Sequence, residues 1–246
     1  MLDAIKTDVK ALFLEREDCD AGTVQQLRNG LSQAPTQYKS LRDAIEAMKA
    51  KLPTVAVAHQ KKWQLKLGIA SYFLGRMKDA ATHLKQAEGA LANFYLGKAL
   101  TSLHELDEAV KAFERAEKSG YTASQVQLQR AHVLRLQNHV KESKTLLGKL
   151  SELGSHSGEY HYQLGSILLS EGERPEAIKH FERAVELDPH QTGALFQLGY
   201  ANDLAGNDAE AIGYYEHSVE HLPAQDRKST RLNSSHSRAS RMPSSA

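Results

Sequence analysis

The sequence predicts an all-α protein, a solenoid in which about five helix pairs stack side by side behind an N-terminal helical segment. One pattern occurs twice between Ser157 and Pro223: Tyr162-Gln163-Leu164-Gly165 returns 34 residues later as Phe196-Gln197-Leu198-Gly199. Within each copy, apolar residues recur at helical steps of three and four. A period of this length is typical of stacked units that bury their apolar faces on one another.

Each copy is interpreted as two amphipathic helices joined by a tight turn. Gly172 and Gly206 stand where a positive φ would end the first helix. Pro175 stands at the start of the second helix, where its missing N–H costs nothing. Small residues such as Gly165 recur where the two helices are expected to cross, and large ones such as Phe181 recur opposite them.

Counting back from these copies places units near residues 61, 90, 124, 158 and 192. The unit at 90 carries Leu96-Gly97 and Phe113 in register with the later copies. The unit at 124 departs most from the pattern, because Asn138, Ser143 and Leu150 replace the usual Gly, Ala and Ala. Equal spacing on both sides still predicts a helix pair there.

The segment before the repeats is expected to form three helices. Residues 1–53 form the predicted cap over the open end of the first unit. Its apolar stripes are Leu2, Ile5, Val9 and Leu12, then Val24, Leu27 and Leu31 after a capping Asp20, then Tyr38, Leu41, Ile45, Met48 and Leu52. A separate partner-binding or dimerising module is the alternative for this segment. The solenoid is expected to span residues 54–223.

Residues 224–246 differ from the rest of the chain. They are rich in Ser and Arg and lack apolar periodicity, which predicts a disordered tail. Their string resembles translated read-through of a sequencing adapter, so we expect the tail to be non-native and the native chain to continue past about Gln225. The formal net charge of the whole chain is +1, and the tail alone carries +4. The remainder is therefore slightly acidic, which argues against a basic nucleic-acid-binding surface on the folded part.

Composition also bounds the compartment. One cysteine, Cys19, excludes an intramolecular disulfide framework and favours a reducing environment. No apolar run reaches the length of a membrane span, and the N-terminus carries acids where a signal peptide would need positive charge. We expect a cytoplasmic protein that does not contact a membrane.

Residues for catalysis or for a cofactor are not evident. The sequence contains no phosphate-binding Gly-rich loop, no G-x-S-x-G elbow and no H-E-x-x-H motif. His217 and His221 are one helical turn apart, but no further residue is spaced to complete a metal site. The prediction is a protein without catalytic residues, bound metal, cofactor or small-molecule substrate.

The recurring residues resemble the tetratricopeptide repeat: Leu-Gly at positions seven and eight, Gly at fifteen, Ala at twenty, an aromatic at twenty-four and Pro at thirty-two. The resemblance implies a right-handed superhelix whose first helices line a concave groove, through positions two, five, nine and twelve of each unit. The candidate partner-binding residues are then Tyr72, Phe94, Lys98, His132, Arg135, Tyr162, Phe196 and Tyr200. Position five is always apolar or aromatic, which departs from the carboxylate clamp of the family.

We therefore expect a scaffold that binds a peptide or an amphipathic helix of another protein in this groove. Two alternatives remain open at this point. Some of the rings could pack between units as core, with a C-terminal segment of the chain filling the groove. A looser resemblance, through residues 93–100, 116–121 and 193–196, is to bacterial repeat proteins that continue into a domain similar to the C-terminal domain of the RNA polymerase α subunit. That domain would be missing here, and nucleic acid would be contacted only through it.

Overall fold

The protein is built from helices throughout the part of the chain that the computed structural model describes, residues 8–34, 36–154, 156–189 and 191–220. The helices are α1 (Val9–Leu14), α2 (Ala21–Gln33), α3 (Thr36–Lys51), α4 (Val57–Phe73), α5 (Met77–Leu84), α6 (Ala90–Ser102), α7 (Leu106–Lys118), α8 (Ala123–Leu136), α9 (Val140–Gly148), α10 (Ser151–Gly154), α11 (Gly158–Ser170), α12 (Arg174–Leu187), α13 (Thr192–Ala205) and α14 (Asp208–Glu220). No strand occurs in these ranges. The predicted all-α solenoid is confirmed.

The N-terminal segment contributes three helices. The Asp8 side chain accepts hydrogen bonds from backbone N–H groups at the start of α1, and Asp20 does the same for α2. Of the apolar stripe expected for the first helix, Leu2 and Ile5 lie outside the described residues, and α1 begins at Val9. Helix α3 packs on α1 and on α4, so it joins the segment to the first helix pair.

Lys66 strengthens this junction. The residue is buried in α4, and its Nζ donates hydrogen bonds to the backbone carbonyls of Phe13 and Arg16, at and just past the end of α1. A cation at a helix C-terminus satisfies carbonyls that have no partner within the helix. Burial lowers the pKa of Lys66.

Five helix pairs follow: α4/α5, α6/α7, α8/α9, α11/α12 and α13/α14. The first helix of each pair crosses the second at a small residue. A Cβ added at Gly97 would lie 2.6 Å from the ring of Phe113, and one added at Gly165 would lie 2.8 Å from the ring of Phe181. Both rings are buried. Glycine is therefore needed at these crossings because the facing ring fills the space that a side chain would take.

The turn between the helices of each pair uses one left-handed residue. Gly172 and Gly206, predicted for this position, have φ of 88° and 81°. Gly75 has the same role in the first pair. In the second and third pairs the position is held by His104, with φ of 59°, and by Asn138, with φ of 66°. The turn is kept even where the residue is not glycine.

The third pair, which departs most from the repeat pattern, adapts through a hydrogen bond. Ser143 stands where the pattern has Ala, and its buried Oγ donates to the backbone carbonyl of Ala131 at 2.7 Å. Leu147 is fully buried at the position where the second, fourth and fifth units have an aromatic residue and the first unit has Leu84. The hydroxyl is thus satisfied within the helix crossing, and the pair keeps its close packing.

Candidate functional site: the groove of the first helices

The first helices of neighbouring pairs lie side by side, and their shared surface is the groove. Helix α6 packs on α4 and α8, and α8 packs on α11. Lys98 of α6 places its Nζ 5.6 Å from the ring centre of Tyr72 in α4. A second ring, Phe94, lies 5.9 Å from the same nitrogen. The contact with Tyr72 joins two successive units, whereas the contact with Phe94 lies within α6.

Two of the predicted groove aromatics are packed between units. Phe94 is only 5% exposed and stacks on Tyr121 with 4.0 Å between ring centres. The ring of Tyr162 lies so close to Gly193 of the next unit that a Cβ there would be 2.6 Å from it. For these two residues the structure agrees with the core alternative, since Phe94 is buried and the partly buried Tyr162 packs on the next unit.

Of the other three predicted aromatics, Tyr72 is partly buried, and Phe196 and Tyr200 are exposed. Phe196, Tyr200 and Leu204 are 43%, 41% and 44% exposed, and they follow one another by one helical turn along α13. We call these three residues the α13 ridge. A largely apolar cleft of about 440 Å³ lies beside the ridge, with Leu169 and Ile178 also in its wall. Contiguous exposed apolar surface next to a cleft is typical of a site that another polypeptide covers.

A polar cluster occupies the middle of the groove. The carboxylate of Glu159 accepts hydrogen bonds from the side-chain amides of Gln163 at 2.8 Å and Gln191 at 2.9 Å. Burial would raise the pKa of Glu159, but the charge of Lys98 and these hydrogen bonds outweigh burial and lower it. Burial would lower the pKa of Lys98, but the interactions with Tyr72 and Glu159 outweigh burial and raise it. Both groups are charged at neutral pH.

His132 and Arg135 complete this cluster. Burial, followed by the charge of Arg135, lowers the pKa of His132 to about 4, so the imidazole is neutral at pH 7. The Nε of Arg135 is buried and has no hydrogen-bond partner among the described residues. The middle of the groove therefore carries one positive charge in excess, since Lys98 and Arg135 are positive and Glu159 is negative.

Helix α2 lies over the groove, a position that sequence reasoning did not predict. Its Arg28 pairs with Asp188 at the end of α12, with 3.7 Å between Nη2 and Oδ2. A cleft of about 440 Å³ is enclosed between α2 and the groove, and Val24, Lys98 and Glu159 lie in its wall. The expected cap therefore reaches beyond the first unit. In the sequence, the capping Asp20 and the apolar stripe predicted that α2 is a helix, but neither predicted where that helix packs.

The described residues show no metal centre. No group of three or more His, Cys, Asp or Glu side chains is placed to hold an ion in those ranges. His217 lies in α14, and His221 lies outside the described residues.

Burial raises the pKa of Cys19 to about 12, so this thiol is protonated at neutral pH. Within the same ranges, none of the helices combines the length and the apolar character that crossing a bilayer requires.

Comparison with known families identifies the repeat. Residues 128–226 match the family model described as "Tetratricopeptide repeat". Over these residues the chain contains tetratricopeptide repeats. The family resemblance noted in the sequence is thereby confirmed, whereas the extension resembling the RNA polymerase α subunit finds no support. No curated protein matches the chain.

A solved tetratricopeptide repeat structure shares this fold. TTC0263, a thermophilic TPR protein of Thermus thermophilus, is 18% identical, with 69% of this chain and 94% of that chain covered and a TM-score of 0.57. YrrB, described as a TPR protein with an unusual peptide-binding site, is 19% identical over 78% of this chain and 99% of its own, with a TM-score of 0.43. MamA from Desulfovibrio magneticus is 19% identical over 65% of this chain and 94% of its own, with a TM-score of 0.43. At these identities the similarity concerns the fold alone.

Proposed function

We propose that this tetratricopeptide repeat protein is a non-enzymatic scaffold that binds a peptide or an amphipathic helix of another protein in its groove. The observation that carries the proposal is the α13 ridge, three large apolar side chains in a row that the described part of the chain leaves more than two fifths exposed. Isolated exposed apolar residues are ordinary, but a row beside an apolar cleft is not.

The α13 ridge presents one large apolar side chain per helical turn along a single face of α13. Aromatic side chains provide large contact area with few rotatable bonds, which is why they dominate binding energy at interfaces. Of the five exposed large hydrophobic residues in the described ranges, four lie in the last helix pair: Phe196, Tyr200, Leu204 and Ile212. Only Phe196 and Tyr200 among the predicted groove aromatics are open to a partner in this way.

The remaining predicted residues are proposed to act differently. Lys98, His132 and Arg135 surround Glu159 at the middle of the groove, where burial has removed much of their solvent. We expect their charged and polar side chains to orient a bound segment through hydrogen bonds. Tyr72, Phe94 and Tyr162 support these side chains from within the packed units.

The test uses a peptide selected from a random display library for binding to the full chain. The dissociation constant of that peptide is then measured by calorimetry for the wild type and for Phe196→Ala/Tyr200→Ala. Because one hot-spot aromatic contributes about 2 kcal/mol or more, and such contributions are not additive, we expect binding in the double variant to be weaker by at least the roughly thirtyfold that one residue gives.

The control is Val57→Ala, since Val57 is exposed at the start of α4, away from the α13 ridge. It should bind the peptide as tightly as the wild type, and all three proteins should show the same helical circular dichroism. Equal affinity of the wild type and the double variant, with helicity intact, would contradict the proposal. The cytoplasmic location stays a prediction, to be checked by fractionation.

A further inference from the structure

The helix pair that carries the α13 ridge is the most acidic of the five. Residues 192–220, which form α13, α14 and the turn between them, contain five acidic residues and no Lys or Arg. The first pair, residues 57–84, is the opposite, with five basic residues and one acidic residue. The solenoid is therefore basic at its first pair and acidic at its last, although the net charge of the whole chain is only +1.

Two of the exposed apolar residues in the last pair hold positions that are packed in the preceding pair. Phe196 is 34 residues after Tyr162, whose ring lies against Gly193 of α13. Ile212 is 34 residues after Ile178, which lies in the wall of the apolar cleft beside α13. In the fourth pair these two positions thus meet the first helix of the next pair. In the last pair both are exposed within the described part of the chain, so the surface has the shape that receives a helix.

Carboxylates border this apolar surface on both helices. Asp208 and Glu216 are four residues before and four residues after Ile212, and both are exposed. On α13, Asp203 is three residues after Tyr200 of the ridge. Residues three or four apart are neighbours on one face of a helix, so each carboxylate stands next to an exposed apolar side chain.

The cleft beside the ridge contributes one charge of the other sign. Arg174 of α12 lies in its wall. The carboxylates next to Tyr200 and Ile212 outnumber this guanidinium, so a segment that covers the apolar surface meets mainly negative charge at its borders.

We propose that the segment which binds the α13 ridge is a basic amphipathic helix of a partner protein, with Lys or Arg next to its apolar residues. The proposal rests on the function proposed above and names the chemistry of the partner. A helix fits because α13 itself covers the corresponding positions of the fourth pair. Basic residues fit because opposite charges across an interface speed association, whereas the carboxylates would repel an acidic segment.

The test uses three synthetic amphipathic helices of about eighteen residues, a length that favours helix in water. All three have the same apolar residues at spacings of three and four, and the positions next to the apolar face are Lys, Gln or Glu. Calorimetry at low salt gives the dissociation constant of each peptide for the full chain. An exposed ion pair changes an equilibrium by at most roughly fivefold, so with several carboxylates we expect the Lys peptide to bind about tenfold more tightly than the Gln peptide. The Glu peptide should bind most weakly, and added salt should reduce these differences.

Matched variants locate the charge effect. Asp203→Asn/Asp208→Asn/Glu216→Gln removes the bordering carboxylates with little change of shape, so it should bind the Lys and Gln peptides about equally. The control removes as many carboxylates from α3, α7 and α9 and should keep the advantage of the Lys peptide: Glu46→Gln/Glu114→Gln/Glu142→Gln. Phe196→Ala/Tyr200→Ala should weaken all three peptides, which separates docking on the ridge from non-specific attraction. Circular dichroism of each variant recognises a folding defect separately.

The outcomes distinguish this proposal from the proposed function. Equal affinity of the wild type for the three peptides, with binding weakened by Phe196→Ala/Tyr200→Ala, would overturn the basic partner and leave the scaffold standing. Loss of the Lys advantage in the control variant would also overturn it, because the charge of the whole chain would then decide. If Phe196→Ala/Tyr200→Ala weakens none of the peptides, the proposed function itself fails.

Two other occupants of the surface give different results. If a second copy of the chain occupies it, sedimentation of the full chain alone shows a dimer that Phe196→Ala/Tyr200→Ala dissociates. If the chain's own basic residues after 223 occupy it, trypsin cleaves after Arg227, Lys228 and Arg231 faster in that variant than in the wild type. Either result would overturn the proposal, whereas we expect a monomer with equal cleavage rates.

Discussion

His104 stands in a left-handed turn where three other units have glycine, so replacing it with glycine should stabilise the protein. Its φ is 59°, it is exposed, and the hydrogen bonds of the turn run through the backbone. A left-handed conformation costs a residue with a side chain roughly 1–2 kcal/mol. Glycine also lowers the free energy of unfolding by about 0.5–1 kcal/mol, because it gives the unfolded chain more conformational freedom. The net gain expected for His104→Gly is about 0.5–1 kcal/mol.

Urea unfolding followed by far-UV circular dichroism measures this gain as a higher midpoint at constant slope. Two matched variants check the reasoning. Gly172→Ala, in the same turn of a later unit with φ of 88° and open space around the new Cβ, should lose a net of about 0.5–1 kcal/mol. Asn138→Gly should change little because asparagine tolerates this region. A destabilised His104→Gly, or a Gly172→Ala as stable as the wild type, would refute the argument.

Three further changes test packing, the N-terminal junction and pH. Gly97→Ala, which would set a Cβ 2.6 Å from the Phe113 ring, should lose about 1–3 kcal/mol, whereas Gly148→Ala, with open space, should not be destabilised. Lys66→Met should lose about 1–3 kcal/mol in urea unfolding, since the carbonyls that it satisfies would lose their partner; an unchanged midpoint would be evidence against the junction. The pKa of His132 falls from 6.5 in the unfolded chain to about 4 in the folded state. As the pH drops between these two values, the unfolded chain binds a proton at this residue and the folded state does not. Stability should therefore fall by about 2 kcal/mol between roughly pH 6.5 and pH 5 through this residue, and His132→Gln should remove that loss; parallel pH profiles would contradict a neutral imidazole.

The local sequence pattern was sufficient to predict the helix pairs. The spacing of apolar residues and the recurring Leu-Gly steps predicted each pair, even the third, where Asn138, Ser143 and Leu150 depart from the pattern. The structure shows how this unit adapts: Asn138 adopts the left-handed turn and Ser143 bonds to the Ala131 carbonyl. Helix register depends on contacts within some thirty residues, and such contacts are readable from one repeat.

Exposure within the groove was less readable. Phe94, Tyr162 and Phe196 hold the same position in their units, and from the sequence they are equivalent. In the structure Phe94 is covered by Tyr121, Tyr162 lies against Gly193, and Phe196 stays 43% exposed. What covers each ring comes from a neighbouring unit or loop, so position in the repeat alone does not decide whether a ring meets solvent.

The sequence by itself determined the all-α class, the helix pairs, the turns and the existence of α2, because each depends on neighbours within a few turns of helix. Only the tertiary structure decided where α2 lies and which charges face one another. Arg28 and Asp188 are 160 positions apart in the chain and meet at 3.7 Å. Their meeting depends on the curvature that the first four stacked pairs accumulate, and curvature of that kind is a sum of small packing rotations that no single repeat reveals.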